Sequence, residues 1–190
     1  MMPSDATPPA LPPAAAPDIA TARPGVTLRP ATRDDLGLIL ALIRELAVYE
    51  KEPDAVLADE ATLALQLFGE RPAAEVVIAQ ADGHPAGFAL FFHNFSTWLG
   101  KRGLYLEDLF VRPEFRGRGV GQVLMAYLAR LAVERDCGRF EWSVLDWNTP
   151  ALDFYRQLGA VPMDEWTVQR MTGPALQALA DSFDAAAARG

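Results

Sequence analysis

The sequence predicts one mixed α/β domain over residues 26–180, with the element order βααβββαβαβ. Three observations predict it. Short runs rich in β-branched and aromatic residues alternate with longer segments whose apolar residues recur at helical spacing. Turn signals separate the β-rich runs near the middle of the chain. A glycine-rich loop then joins a strand to the strongest amphipathic helix. The length, 190 residues with 51% apolar, suits one domain and is enough to bury a core, which excludes wholesale disorder.

The first 25 residues stand apart: Pro3, Pro8, Pro9, Pro12, Pro13, Pro17 and Pro24 interrupt an alanine-rich stretch, which predicts a disordered or polyproline-like arm. Val26–Arg29 begins the order as a short strand. Thr32 and Asp35 form a capping box for a helix over 33–49, whose stripe is Leu36, Ile39, Leu40, Ile43, Leu46 and Ala47. After Pro53, Asp59 caps a second helix through Leu67 and Phe68. Residues 74–80 and 86–92, joined by Asp82-Gly83, read as a hairpin. Residues 104–111 form the next strand, which Pro113 stops. A helix over 121–134 follows, then a strand at 140–145 and a helix at 149–158 with Gly159 beyond its end. Residues 166–171 read as a last strand, before a terminal helix that frays into a flexible tail at 181–190.

Composition excludes several classes. A formal charge of −8 opposes nucleic-acid binding, which depends on neutralising phosphates. No segment has the run of uncharged apolar residues that a membrane span needs, and no signal-peptide pattern opens the chain, so a cytoplasmic location is expected. One cysteine, Cys137, and two histidines, His84 and His93, exclude a disulfide framework and make a metal site unexpected. Cys137 reads as a structural thiol, His84 as a turn residue, and His93 as a residue that could touch a substrate.

The loop Arg116-Gly117-Arg118-Gly119-Val120-Gly121, followed by Gln122, carries the most information. Glycines let the backbone take positive φ and approach a ligand closely. A strand–glycine loop–helix arrangement aims free amides along a helix dipole, where phosphate binds, and Arg116 and Arg118 add charge. A Walker loop requires Gly-Lys-Ser/Thr, and Gly121 is followed by Gln122-Val123. The dinucleotide fingerprint fails on spacing.

The pattern Arg116-x-x-Gly119-x-Gly121 after LYLEDLFV (104–111), with NTPALDFY (148–155) and RQLGA (156–160) downstream, resembles the GCN5-related N-acetyltransferase superfamily over roughly 26–172. ELAVYE (45–50), WLGK (98–101) and YLEDLFV (105–111) are similar to its diamine (spermidine/spermine) and thialysine acetyltransferase branch. The resemblance implies a mostly antiparallel central sheet flanked by helices. It implies direct transfer of acetyl from acetyl-CoA, as cosubstrate and without metal, to a primary amine of a small polyamine-like or diamino compound.

Residue roles follow from the same resemblance. Gly117 to Gln122, Val120 among them, would hold the diphosphate with main-chain donors. Leu109, Phe110 and Val111 would align the pantetheine arm by strand-like pairing. Only about one amine in 2,500 is neutral at pH 7, so a carboxylate must take a proton, and Glu107 is the matched base with Asp108 beside it. Tyr155 matches the general acid that protonates the leaving thiolate; Asn148 and Ala151 match positions lining the CoA site. On the amine side the matches are Tyr49, Glu50, Glu107, Asp108, Glu141, Trp142 and Ser143, with Trp98 and Trp166 as candidate tunnel walls. Phe95-Ser96-Thr97 carries no acid where animal diamine enzymes place one, which disfavours spermine itself. The branch also implies a homodimer. The alternatives are a non-catalytic acyl-CoA sensor, or acetylation of a protein terminus or an antibiotic amine.

Overall fold

The computed structural model describes residues 17–187. Its sheet has six strands in sequence order: β1 (Ile19–Ala20), β2 (Val26–Pro30), β3 (Glu75–Ala81), β4 (His84–Ser96), β5 (Lys101–Val111) and β6 (Phe140–Trp142). All neighbours are antiparallel except β5 and β6. The expected arm at 1–25 is corrected at its end. Residues 1–16 lie outside the described residues, and Ile19–Ala20 already pairs with Leu28 and Thr27. The intervening turn is closed by hydrogen bonds. Thr21 Oγ1 donates to the Val26 carbonyl at 2.7 Å, and the Val26 N–H donates to the Arg23 carbonyl at 3.1 Å.

The Asp82-Gly83 turn has positive φ at both residues, 51° and 78°, the mirror-image geometry that matches strand twist. It leads from β3 into a β4 longer than the sequence suggests. Helix α1 (Leu36–Tyr49) starts from the Thr32–Asp35 capping box. Asp35 also accepts two bonds from the Arg29 guanidinium, at 2.6 and 2.7 Å, which hold its carboxyl below the usual range. Helix α2 (Glu60–Phe68) is capped by Asp59, whose Oδ1 accepts from the Thr62 N–H at 2.7 Å. These two helices cover one sheet face through Ile39, Leu42, Leu46, Leu63 and Leu67 against Ile78, Phe88 and Phe110. Helix α3 (Val120–Glu134) lies against β3, β4 and β5, with Leu124, Met125 and Leu128 buried.

The chain divides into two compact units at Ser143/Val144, where the sequence reading expects a single domain over 26–180. The second unit holds α4 (Thr149–Gln157) and α5 (Gly173–Ala187), the latter continuing past the expected boundary at 180. The strand expected at 140–145 ends at Trp142. The one expected at 166–171 is irregular chain, with Trp166, Val168 and Met171 exposed. A β-rich run becomes a strand only where a ladder and a packed face accept it, and the sheet ends at β6.

Candidate active site

The register between β4 and β5 shifts at one point. Leu90 pairs with Asp108 and Phe91 with Leu106, so Glu107 is an extra residue, a β-bulge. Paired residues share a face and consecutive ones alternate. Leu106 therefore faces the α3 side with Phe91, while Asp108 faces the α1 side with Leu90 and beside Phe110. Unbroken alternation would put Leu106 and Asp108 together. The bulge instead carries Asp108 under α1, partly buried, and leaves Glu107 exposed.

Asp108 pays for its position: burial first, then the charges of Glu107 and Glu50, push its carboxyl up to about 6. Burial also raises Glu50. Glu107 and Glu50 thus both act on Asp108, where the end of α1 meets the bulge of β5. Tyr49 stands beside them, with the Arg116 guanidinium 4.7 Å from its ring centre and 5.9 Å from that of Phe110. Arg112 locks this end of α1 in place by donating to both Glu45 oxygens, at 2.7 and 2.9 Å, and to the Pro85 carbonyl at 3.1 Å. The cluster suits a cation whose proton must be removed.

Beyond the bulge, β5 changes neighbours. Pairing with β6 covers only Leu104, Tyr105 and Leu106, so Leu109, Phe110 and Val111 carry no β6 pairing on that edge. The strand runs into the glycine loop. Gly117 and Gly119 have φ of 73° and 81°, and Gly119 is the N-cap of α3 with no side-chain cap. The first cap bond runs from the Val123 N–H to the Gly119 carbonyl at 3.0 Å, which leaves the amides of Val120, Gly121 and Gln122 without an intrahelical acceptor. Val120's side chain is buried in the core, so that residue can offer only its main chain. Arg116 Nε donates to the Val111 carbonyl at 3.0 Å, and Arg118 pairs with Asp82 at 2.6 Å. This cradle, bare of side chains at Gly117 and positive at its rim, suits a phosphate group.

Asn148, Ala151 and Tyr155 lie in the second unit, on α4. Asn148 is buried and caps the helix, its Oδ1 accepting from the Ala151 N–H at 3.4 Å; Tyr155 is partly buried, 5.3 Å from the Phe154 ring. Gly159, with φ 88°, follows the C-terminal turn as its sequence position suggests. The run Glu141-Trp142-Ser143 is split by strand alternation. Glu141 takes Tyr105's face, accepts from Asn94 at 3.0 Å and pairs with Arg139, while Trp142 takes Leu106's face, 4.9 Å from the Phe140 ring. Ser143 Oγ is 2.8 Å from the Tyr105 hydroxyl. Trp98 is 87% exposed at the β4–β5 turn. His93 sits 3.5 Å from Arg135, which also pairs with Glu75, and burial and that arginine lower its pKa.

Sequence reasoning missed two arginines. Arg112 reads from the sequence only as a main-chain neighbour of Phe110 and Val111, and its side chain's hold on Glu45 goes unseen. Arg23 was absorbed into the proline-rich arm, yet it reaches the glycine loop, its Nη2 donating to Gln122 Oε1 at 3.1 Å. Its signal was available: it is the sole Lys or Arg among residues 1–25.

The family model described as acetyltransferase (GNAT) family matches residues 40–160. The chain belongs to that family and is an acetyltransferase whose cosubstrate is acetyl-CoA. It is 40% identical over 166 residues to a thialysine N-epsilon-acetyltransferase of Bos taurus, covering 82% of this chain and 97% of that one. An L-ornithine N5-acetyltransferase of Arabidopsis thaliana is 33% identical over 80% of this chain and 86% of its own length. Among solved structures, an integron cassette protein of V. cholerae superposes with a TM-score of 0.70 at 29% identity, over 82% of this chain and 98% of the other.

Proposed function

We propose that the protein acetylates a primary amine of a small diamino or polyamine-like compound, with the acids around the β5 bulge receiving the amine. The bulge carries this reading. It puts Asp108, next to Glu107 and within the influence of Glu50 from α1, at the start of the strand segment that leads into the glycine loop. The thialysine and ornithine specificities of its relatives support the same substrate class.

When bound, acetyl-CoA supplies an activated acetyl group and a thiolate leaving group. Gly117, Arg118, Gly119, Gly121 and Gln122, with the Val120 amide and Arg116, hold its phosphates. The free edge at Leu109–Val111 aligns its amide arm and polarises the acetyl carbonyl. Asp108, already drawn toward its neutral form, takes one proton from the ammonium and frees the lone pair that attacks the acetyl carbon; the second N–H proton leaves through Glu107, at the open side of the bulge, and water as the C–S bond breaks. In the second unit, Tyr155 matches the general acid of the family, which would give its hydroxyl proton to the departing sulfur and regain one from solvent; Asn148 caps the helix that bears it through the Ala151 N–H. Glu50 and Tyr49 hold the second ammonium group by charge and by the aromatic face. Glu141 and Ser143 share the sheet face of Asp108 and extend this surface; Trp142, on the other face, supports it by packing.

The protein with acetyl-CoA and a panel of spermidine, putrescine, thialysine, ornithine and lysine is expected to release free thiol with at least one diamino compound. Tight CoA binding without thiol release across the panel would overturn the diamino substrate class; the same silence with a protein N-terminus and an aminoglycoside added would favour a sensor. The reading includes a cytoplasmic homodimer, which light scattering and cell fractionation test.

A further inference from the structure

Arg23 belongs to none of the motifs that mark the acetyl-CoA site, yet the fold delivers it there. The turn after β1 is built to present it. Its own N–H donates to Thr21 Oγ1 at 3.2 Å, its carbonyl accepts from Val26, and Gly25 takes φ 74°. Asp82 fastens this turn to the loop. Its N–H donates to the Gly25 carbonyl at 2.8 Å while its carboxylate pairs with Arg118. The Arg23 guanidinium then lies directly on Gly119. A Cβ there would stand 2.8 Å from Nε and 3.3 Å from Cζ.

The three arginines of this rim differ in what they hold. Arg118 has a carboxylate and Arg116 a carbonyl and two aromatic faces. Arg23 has the neutral side-chain oxygen of Gln122, and among the described residues no carboxylate forms a salt bridge with it. A guanidinium offers two parallel donors to a phosphate, a far better acceptor than an amide oxygen. We propose that Arg23 is a cosubstrate-binding residue that leaves Gln122 to clasp the phosphates of acetyl-CoA over the N-terminus of α3. The inference rests on the acetyl-CoA reading of that loop.

Calorimetric titration of CoA into full-length wild type, Arg23→Ala and Arg23→Lys tests it. Arg23→Ala is expected to raise Kd about tenfold, with Arg23→Lys between it and wild type, and to make the salt dependence of binding shallower. Unliganded thermal unfolding should not move, since the side chain is exposed. Titration with 3′-dephospho-CoA locates the contact. An equal loss puts Arg23 on the diphosphate, and a vanished loss puts it on the 3′-phosphate; both support the assignment. Unchanged or tighter binding by Arg23→Ala while wild type binds CoA overturns the role of Arg23 alone, the tighter result making it a plug. A wild type that binds no CoA overturns the reading of the loop as well.

Discussion

At Asp108 the surroundings oppose the charge the chemistry needs. Its folded pKa of about 6 exceeds the unfolded value near 4, so between those pH values the native state binds the extra proton. Stability therefore falls as pH rises through this window and stays lower above it. Asp108→Asn removes the penalty. Denaturant melts should show the variant more stable by on the order of 2 kcal/mol at pH 8, with no gain at pH 3.5. Its activity should move the opposite way. Wild-type kcat/KM is expected to rise through about pH 6, and the variant to lose about 100-fold together with that rise. A rise that survives in the variant would assign the titration to another group. For Tyr155→Phe, turnover should fall about 100-fold while calorimetric CoA affinity stays within twofold, because only the hydroxyl is removed. An unaltered turnover number would exclude the hydroxyl from proton donation.

The elements divide into those whose instructions are local and those whose instructions are not. Capping at Thr32 and Asp59 and the glycine loop could be read directly, because each depends on a few neighbouring residues. Gly119 is the sharpest example. Its φ of 81° is a left-handed conformation that any side chain strains, and an added Cβ would meet the exposed Arg23 side chain 2.8 Å away, which would have to shift. Gly119→Ala is expected to cost about 1 kcal/mol of stability in thermal or denaturant unfolding and to weaken CoA binding about tenfold by calorimetry. Wild-type affinity in the folded variant would remove this residue from the phosphate cradle. The bulge was illegible for the opposite reason: residues 104–111 read as one continuous strand, and only the pairing with β4 shows the skipped residue. The run at 166–171 misled in the same way, since Trp166 to Gln169 alternate apolar and polar but no ladder accepts them. Arg23 was hidden by the prolines and alanines around it, a composition that speaks for the arm and says nothing of one long side chain.

At the scale of the molecule, spatial strand order equals sequence order, and this made the architecture readable. Each strand meets its successor, most through short antiparallel connections, so local patterns sufficed to place the sheet. Phe88, fully buried between the sheet and α1, is the pivot of the face that carries the acids. Phe88→Ala should cost about 3–5 kcal/mol in urea unfolding, and a loss under 1 kcal/mol would show that this layer is loosely packed. The one-residue bulge in β5 gives the two halves of that strand different allegiances: Leu104 and Leu106 serve the α3 layer, while Phe110 serves the α1 layer. Glu107 sits at the changeover. Engineers seeking a hardier enzyme can thus reinforce the leucines beneath α3 with little disturbance of the acids, whereas any enlargement around Phe88 or Leu90 would shift the carboxylate poised above them.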